Sequence, residues 1–330
     1  MTTPHTPPRI AILGAGMTGL TCAEILTRAK LAPVVFEKSR GLGGRLATRR
    51  TEAGGIDHGA QYITARGSGF SDLLARLSAS GHAATWEPRG RTAEHPWTVG
   101  TPGMSSLVRP LAEGVDIRQP RRVTGVQPEG AGWMLEIEGH ASEGPFDLVI
   151  STIPSPQAAE LLSCLPGIEA LERVTVHPCW AALLTLAEPL DAQVDMLRPE
   201  DGILAWAARN SSKPGRATGP ETWALHATPT WSMDHLEGTP EDALTALRAA
   251  FADLVGPIHV AQASAHRWRY AMTETPLGAP YLSLAQGNVL VGGDWALGMR
   301  VEAAYDSGKS LAEAALARFT PAPTAQQSPG

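Results

Sequence analysis

Apolar residues follow two rhythms along this chain. Arg9-Ile10-Ala11-Ile12-Leu13, Val34-Val35-Phe36-Glu37, Phe146-Asp147-Leu148-Val149-Ile150-Ser151-Thr152 and Asn288-Val289-Leu290-Val291 are short apolar runs rich in β-branched residues. Such runs read as strands buried on both faces, the pattern of a parallel sheet. Helical spacing separates them. The stretch 17–29 places Leu20, Ala23 and Leu26 on one face, and the last periodic stretch carries Val301, Ala304, Tyr305, Gly308, Leu311, Ala312, Ala315 and Leu316. The middle of the chain changes rhythm. Trp223, Leu225 and Ala227 alternate with Thr222, Ala224 and His226, so one face of that strand packs on a core and the other is free to line a cavity. Strands are predicted there over 174–186, 202–209, 222–227, 259–270 and 281–284. A helix is predicted over 240–254, with Ala243, Leu244, Leu247, Ala250, Phe251 and Leu254 on one face. The β-rich stretch 115–138 is broken at Glu129-Gly130-Ala131-Gly132, which reads as a hairpin.

The first strand runs directly into Gly14-Ala15-Gly16-Met17-Thr18-Gly19, and the second ends on Glu37. Strand, glycine turn, helix and distal acid form the dinucleotide fingerprint. Gly14 permits the tight turn, Gly16 lets the backbone approach a pyrophosphate, and Gly19 lets the helix pack close to the strand. The helix start offers N–H groups and partial positive charge to phosphates. Glu37 is placed to accept ribose hydroxyls. Two further segments extend the site and favour FAD over NAD. Lys38-Ser39-Arg40-Gly41-Leu42-Gly43-Gly44-Arg45 is a flexible basic loop suited to a second phosphate contact. Gly292-Gly293-Asp294-Trp295 ends the last strand just before the last helix, where an acid can meet a ribityl chain. The fold class predicted is α/β (α+β overall). A discontinuous Rossmann-like FAD-binding domain takes 1–75, 105–160 and 285–320. A mostly antiparallel substrate domain with flanking helices takes 76–104 and 161–284, and 321–330 is expected to be a disordered tail.

These segments resemble the flavin amine oxidase superfamily, with its glutathione-reductase-like FAD domain, and within it the renalase-like proteins. The resemblance rests on Phe36 to Arg45, on Asp57-His58-Gly59-Ala60-Gln61-Tyr62-Ile63-Thr64-Ala65-Arg66, and on Val99-Gly100-Thr101-Pro102-Gly103-Met104-Ser105. Ala208-Arg209-Asn210, Ser212-Lys213-Pro214, His266-Arg267-Trp268 and Gly293-Asp294-Trp295 extend it. It implies that Met17, Glu37, Lys38, Arg45, Ala60, Gln61, Val123 and Asp294 contact FAD, beside the motif residues Gly14, Gly16, Gly19, Arg40, Gly44, Gly293 and Val301. It implies that Tyr62, Ile63, Thr64, Ala65 and Arg66 run from the flavin into a substrate pocket. It also implies oxidation of 2- or 6-dihydro isomers of NAD(P), with hydride passing to flavin and oxygen reoxidising it to hydrogen peroxide. The family lysine that meets flavin through water has one mid-chain candidate, Lys213. Its setting Asn210-Ser211-Ser212-Lys213-Pro214-Gly215 reads as a surface turn.

Composition narrows the classes. Net charge is −6, which gives no electrostatic case for nucleic acid. Three cysteines without regular spacing give neither a disulfide framework nor a metal site, and none sits beside Gly293, so FAD is expected to be non-covalent. The polar, proline-rich start and the lack of a long apolar window lead us to expect a cytoplasmic monomer without membrane contact. Nine tryptophans against four tyrosines and five phenylalanines point to an aromatic pocket. Trp180 and Trp295 are the tryptophans taken as candidate substrate contacts, and Trp206, Trp223, Trp231 and Trp268 lie in or beside the same region. Hydride transfer needs alignment rather than a base, so no catalytic triad is expected. His226 and His266 are candidates for orienting the substrate, and Arg66, Arg209 and Arg300 for meeting its phosphate. Two other readings remain open: a flavin amine oxidase or desaturase acting on an amine or apolar substrate, and a non-catalytic flavin redox sensor.

Overall fold

Six strands form the central sheet, in the spatial order Tyr281–Leu284, Val289–Gly292, Leu148–Ser151, Ile10–Leu13, Val34–Phe36 and Asp116–Arg118. All neighbours are parallel except the Tyr281–Leu284 edge, which runs antiparallel to Val289–Gly292. The computed structural model describes residues 7–91, 95–191 and 193–319. The expected disordered tail lies outside these residues.

The apolar runs form this sheet because both of its faces are covered. On one face Ile10, Ile12, Val35 and Leu290 pack with Leu20, Ala23 and Leu26 of the Met17–Arg28 helix and Leu311, Ala312 and Ala315 of the Val301–Phe319 helix. The two helices touch at Gly308, where a Cβ would lie 2.4 Å from the Thr18 carbonyl oxygen. On the other face Leu13, Phe36 and Val149 pack with Trp133, Leu135 and Phe146 from a three-stranded antiparallel sheet. That sheet contains the expected hairpin, Val123–Glu129 with Gly132–Ile137.

A second sheet of five antiparallel strands runs Met196–Leu197, Leu204–Arg209, Thr222–Ala227, Thr175–Leu186 and Val260–Thr275. Strand alternation gives it two distinct faces. Trp180, Ala182, Leu184, Trp223 and Leu225 pack under the Pro240–Val255 helix through Ala243, Leu247 and Phe251. Register places Ala181 opposite both His226 and His266, so those two histidines share the other face.

The Rossmann-like parallel sheet and the α/β class stand as the periodicity indicated. Several elements differ. Tyr281–Leu284 belongs to the six-stranded sheet, because its pairing partner is the adjacent Val289–Gly292 strand across a short turn. The last strand of the second sheet continues to Thr275 rather than ending at Tyr270. The hairpin Thr48–Thr51 with Gly54–Asp57, the Ser68–Ala79 helix and the pair Ala83–Trp86 with Trp97–Gly100 lay in stretches whose short patterns gave no reading. Among the described residues no helix is long and apolar enough to cross a membrane.

Candidate cofactor and substrate site

Gly14 sits at φ +102°, and a Cβ on Gly19 would lie 2.0 Å from the Gly14 carbonyl oxygen. Turn and helix therefore approach at a distance only glycine allows. Gly16, the N-cap, has no atom within 4 Å of its Cβ position, and no side chain caps the helix or places an acid in its first turn. Its first amides are thus left without a side-chain cap, as a phosphate site requires. Met17 is buried behind them in the core. The buried Glu37 carboxylate accepts N–H bonds from Ala15 at 2.8 Å and Ser39 at 2.7 Å. Arg121 donates its backbone N–H to the Glu37 carbonyl at 2.7 Å, which brings half-buried Val123 close behind.

The basic loop folds onto this turn. Gly43 donates its N–H to the Ala15 carbonyl at 2.8 Å, and Gly16 and Gly43 form a β-bridge. A Cβ on Gly44, at φ +54°, would lie 3.7 Å from the Gly16 Cα, while Lys38 and Arg40 are exposed. Arg45 reaches the other end of the chain. Its guanidinium forms a bidentate pair with Asp294, one bond measuring 2.8 Å, and donates to the Ala271 carbonyl at 3.0 Å. The Arg45 carbonyl accepts the Ala60 N–H at 2.9 Å. Gly293 donates to Ser307 Oγ at 3.0 Å, and Val301 begins the C-terminal helix. Residues 249 positions apart thus close one continuous strip from Gly14 to Asp294. The open Gly16 amides, the buried Glu37 and the basic loop fit an extended dinucleotide.

The segment 57–67 borders this strip. Tyr62 stacks on Trp97 at 3.9 Å and takes a hydrogen bond from Arg198 at 3.3 Å. Ile63 is buried and bridges to Thr98, and Ala65 packs on the core. Thr64 accepts from Arg300 at 2.8 Å. Arg66 is exposed, and its backbone N–H donates to Glu302 at 2.9 Å. This segment is therefore tied to the start of the C-terminal helix.

Opposite lies a face of imidazole and indole. His58 stacks with Trp268 at 5.0 Å, His266 meets His58 edge-on at 4.9 Å and Trp268 at 4.5 Å. The His58 carbonyl accepts from Trp268 Nε1 at 2.8 Å and faces His226 Nε2 at 3.3 Å. His58 Nδ1 is buried with no hydrogen-bond partner among the described residues. Burial, the neighbouring His266 and Arg49 hold His58 down at about 3. Burial takes His226 to about 4, and burial with Arg49 lowers His266. All three rings are neutral at pH 7. His58 stands within the Asp57–Arg66 stretch that carries the resemblance, but the sequence gives it no role, because its partners His266 and Trp268 lie on a distant strand.

Three readings need correction. Trp180 lies on the opposite face from His226 and His266, because the strand alternates; its Nε1 donates to the His235 carbonyl at 3.0 Å inside the core under the Pro240–Val255 helix. Trp295 is also core, packed with Leu13 and Phe36 and donating to the Ile153 carbonyl at 3.0 Å. Lys213 is not on a surface turn. Its fully buried ammonium donates to Asp57 Oδ2 at 3.0 Å and Gln61 Oε1 at 2.9 Å. Burial pushes it down to about 8, against the pull of Asp57. Burial would raise Asp57, but Lys213 and Arg216 outweigh it and keep this carboxyl below its usual range. Gln61 Nε2 donates to the Asp57 and Gly59 carbonyls at 2.8 and 3.0 Å, so its side chain is locked.

Residues 80–316 match the family described as flavin containing amine oxidoreductase, and residues 12–77 match an NAD(P)-binding Rossmann-like domain. Mouse renalase is 28% identical over 169 residues, 46% of this chain and 49% of that protein. Hydroxyneurosporene desaturase of Cereibacter sphaeroides is 33% identical over 95 residues, 28% of this chain and 19% of that one. These matches span about half or less of the relatives' length. Cyclohexylamine oxidase from Brevibacterium oxydans superimposes with a TM-score of 0.72 over 96% of this chain and all of that one, at 12% identity. An Exiguobacterium protein provisionally named as a protoporphyrinogen oxidase gives 0.78 over 95% and 99%, at 15% identity.

Proposed function

The chain belongs to the flavin-containing amine oxidoreductase family, and from that premise we propose that it oxidises dihydronicotinamide isomers, the 2- or 6-dihydro forms of NAD(P). FAD is the cofactor of this oxidoreductase, and on our reading it is held without a covalent bond by the strip from Gly14 to Asp294. Bound there, FAD would supply the acceptor for a hydride from the dihydropyridine ring, with oxygen and one proton reoxidising it to give hydrogen peroxide.

The observation that carries the substrate reading is the charge on the histidine face. His58, His226 and His266 are all held below the usual imidazole range, and two cations act on them: Arg49, which lowers His58 and His266 and donates to Ser264 Oγ at 3.3 Å, and the buried Lys213, which lowers His226. This face offers flat rings and positive potential. An uncharged dihydropyridine stacks on such a face, and its phosphate-bearing tail is drawn to it. An ammonium substrate meets repulsion from Arg49 there, and the nearby Asp57 carboxylate is already paired with Lys213 and Arg216. The division of labour follows: the six-stranded half holds the cofactor and the five-stranded half presents the substrate.

Anaerobic mixing of the FAD-loaded protein with 2- and 6-dihydro-NAD(P), and separately with a panel of primary amines, tests the proposal. Bleaching of the visible flavin bands by a dihydronicotinamide, with peroxide on readmission of air, is expected. Bleaching by amines alone overturns it.

A further inference from the structure

Two cations share one carboxylate behind the loop 57–61. Asp57 accepts from Lys213 and Arg216, and its other oxygen is occupied by Thr48 Oγ1 at 2.7 Å and the Met104 N–H at 2.9 Å. The side chains of Asp57, Lys213 and Arg216 are all but inaccessible, at 0%, 0% and 3%. The cluster therefore encloses a net charge of +1. Burying such a group costs several kcal/mol per ion, and an apolar substitute of similar shape often costs less. Packing alone gives no reason for it.

Its position gives one. Lys213 grips the Gln61 side chain, Gly59 lies against the Arg45 backbone, and Ala60 is bonded to the Arg45 carbonyl, whose guanidinium holds Asp294. The charge thus lies behind the strip assigned to the cofactor, on buried side chains where screening is weak. Uptake of a hydride, one proton with two electrons, gives the cofactor one additional negative charge. We propose that the Asp57–Lys213–Arg216 cluster supplies a fixed positive field to the flavin, so that Lys213 is an electrostatic residue that favours cofactor reduction without touching it. The inference rests on the cofactor half of the proposed function and on no particular substrate.

The midpoint potential of the FAD-loaded protein, measured against a reference dye at pH 7, tests it. Lys213→Met lowers the equilibrium constant for reduction at least tenfold, about 30 mV for a two-electron couple. Lys213→Arg, which keeps the charge, stays within twofold of the wild type. The groups facing Lys213 are Asp57, Arg216, Gln61, the Trp86 ring at 5.4 Å and, at longer range, His226. Of these Lys213 itself titrates near 8, so the gap between wild type and Lys213→Met narrows above that pH, while the gap for Lys213→Arg does not. Equal potentials in all three proteins, or equal shifts in Lys213→Met and Lys213→Arg, overturn the inference. Should Lys213→Met fail to retain FAD, Arg216→Gln removes the second cation and is judged by the same tenfold criterion. No substrate enters the measurement, so a protein inert toward dihydronicotinamides leaves this result standing.

Discussion

Two glycines three residues apart separate folding from cofactor binding. Gly16 and Gly19 both belong to the dinucleotide turn, yet a methyl group meets opposite surroundings at each. At Gly19 the added Cβ lies 2.0 Å from the Gly14 oxygen and 2.8 Å from Thr152 Oγ1. The first is backbone at the end of a central strand, so the helix must retreat by about 1 Å. Overpacking of that kind costs about 3 kcal/mol, offset by about 1 kcal/mol of helix propensity gained over glycine. A net loss of about 2 kcal/mol lowers Tm by about 3 °C in a chain of this size. At Gly16 the backbone is extended, φ −81° and ψ −173°, and nothing lies within 4 Å. Alanine is a poorer N-cap than glycine by about 0.5 kcal/mol, a Tm change of about 1 °C. Its methyl group, however, fills the space left for the pyrophosphate. Losing two charge-assisted bonds worth about 1.5 kcal/mol each weakens FAD binding about 100-fold. Thermal melting of the apo proteins and flavin-fluorescence titration give the two numbers. Gly16→Ala with wild-type FAD affinity, or Gly19→Ala with wild-type Tm, refutes the reasoning.

Three further outcomes follow from the site. Removing either partner of the Arg45–Asp294 pair, as Arg45→Met or Asp294→Asn, lowers FAD content measured by the ratio of visible to ultraviolet absorbance; unchanged content in both removes these residues from the cofactor strip. His58 and His226 have folded pKa values near 3 and 4, below the usual 6.5, so the unfolded chain takes up protons first as pH falls. Their contribution is complete above pH 6.5 and is lost on descent toward pH 3, at a slope of about 1 kcal/mol per pH unit for each ring, so apo Tm falls between pH 6.5 and 4.5 and His226→Gln flattens the fall. Trp180→Phe and Trp295→Phe each remove an indole hydrogen bond in a core and cost about 2 kcal/mol in stability, with KM unchanged; a raised KM at wild-type stability returns that residue to the pocket.

Local chemistry made the nucleotide half legible. The glycines, Glu37 and the short apolar runs carry their reasons within a few residues: a turn needs positive φ, a buried parallel strand needs both faces apolar, and a helix start needs free amides. The substrate half was legible as alternation but not as address. Period two separates Trp223 from Ala224 and His226, yet it does not say which face meets the cofactor. Trp180 and Trp295 misled for that reason, since an indole serves a core and a pocket equally well.

Sequence by itself determined the parallel sheet, the dinucleotide turn and the family. Tertiary structure decided three things that depend on long-range pairing. It joined Arg45 to Asp294, across 249 positions. It set His58 against His266 and Trp268, from separate elements. It carried Lys213 from an ordinary turn sequence, Ser212-Lys213-Pro214-Gly215, into a closed ion cluster with Asp57 and Arg216. The physical reason is common to all three. A side chain's charge state and role are set by its desolvation and its partners, and for these residues the partners lie far away along the chain.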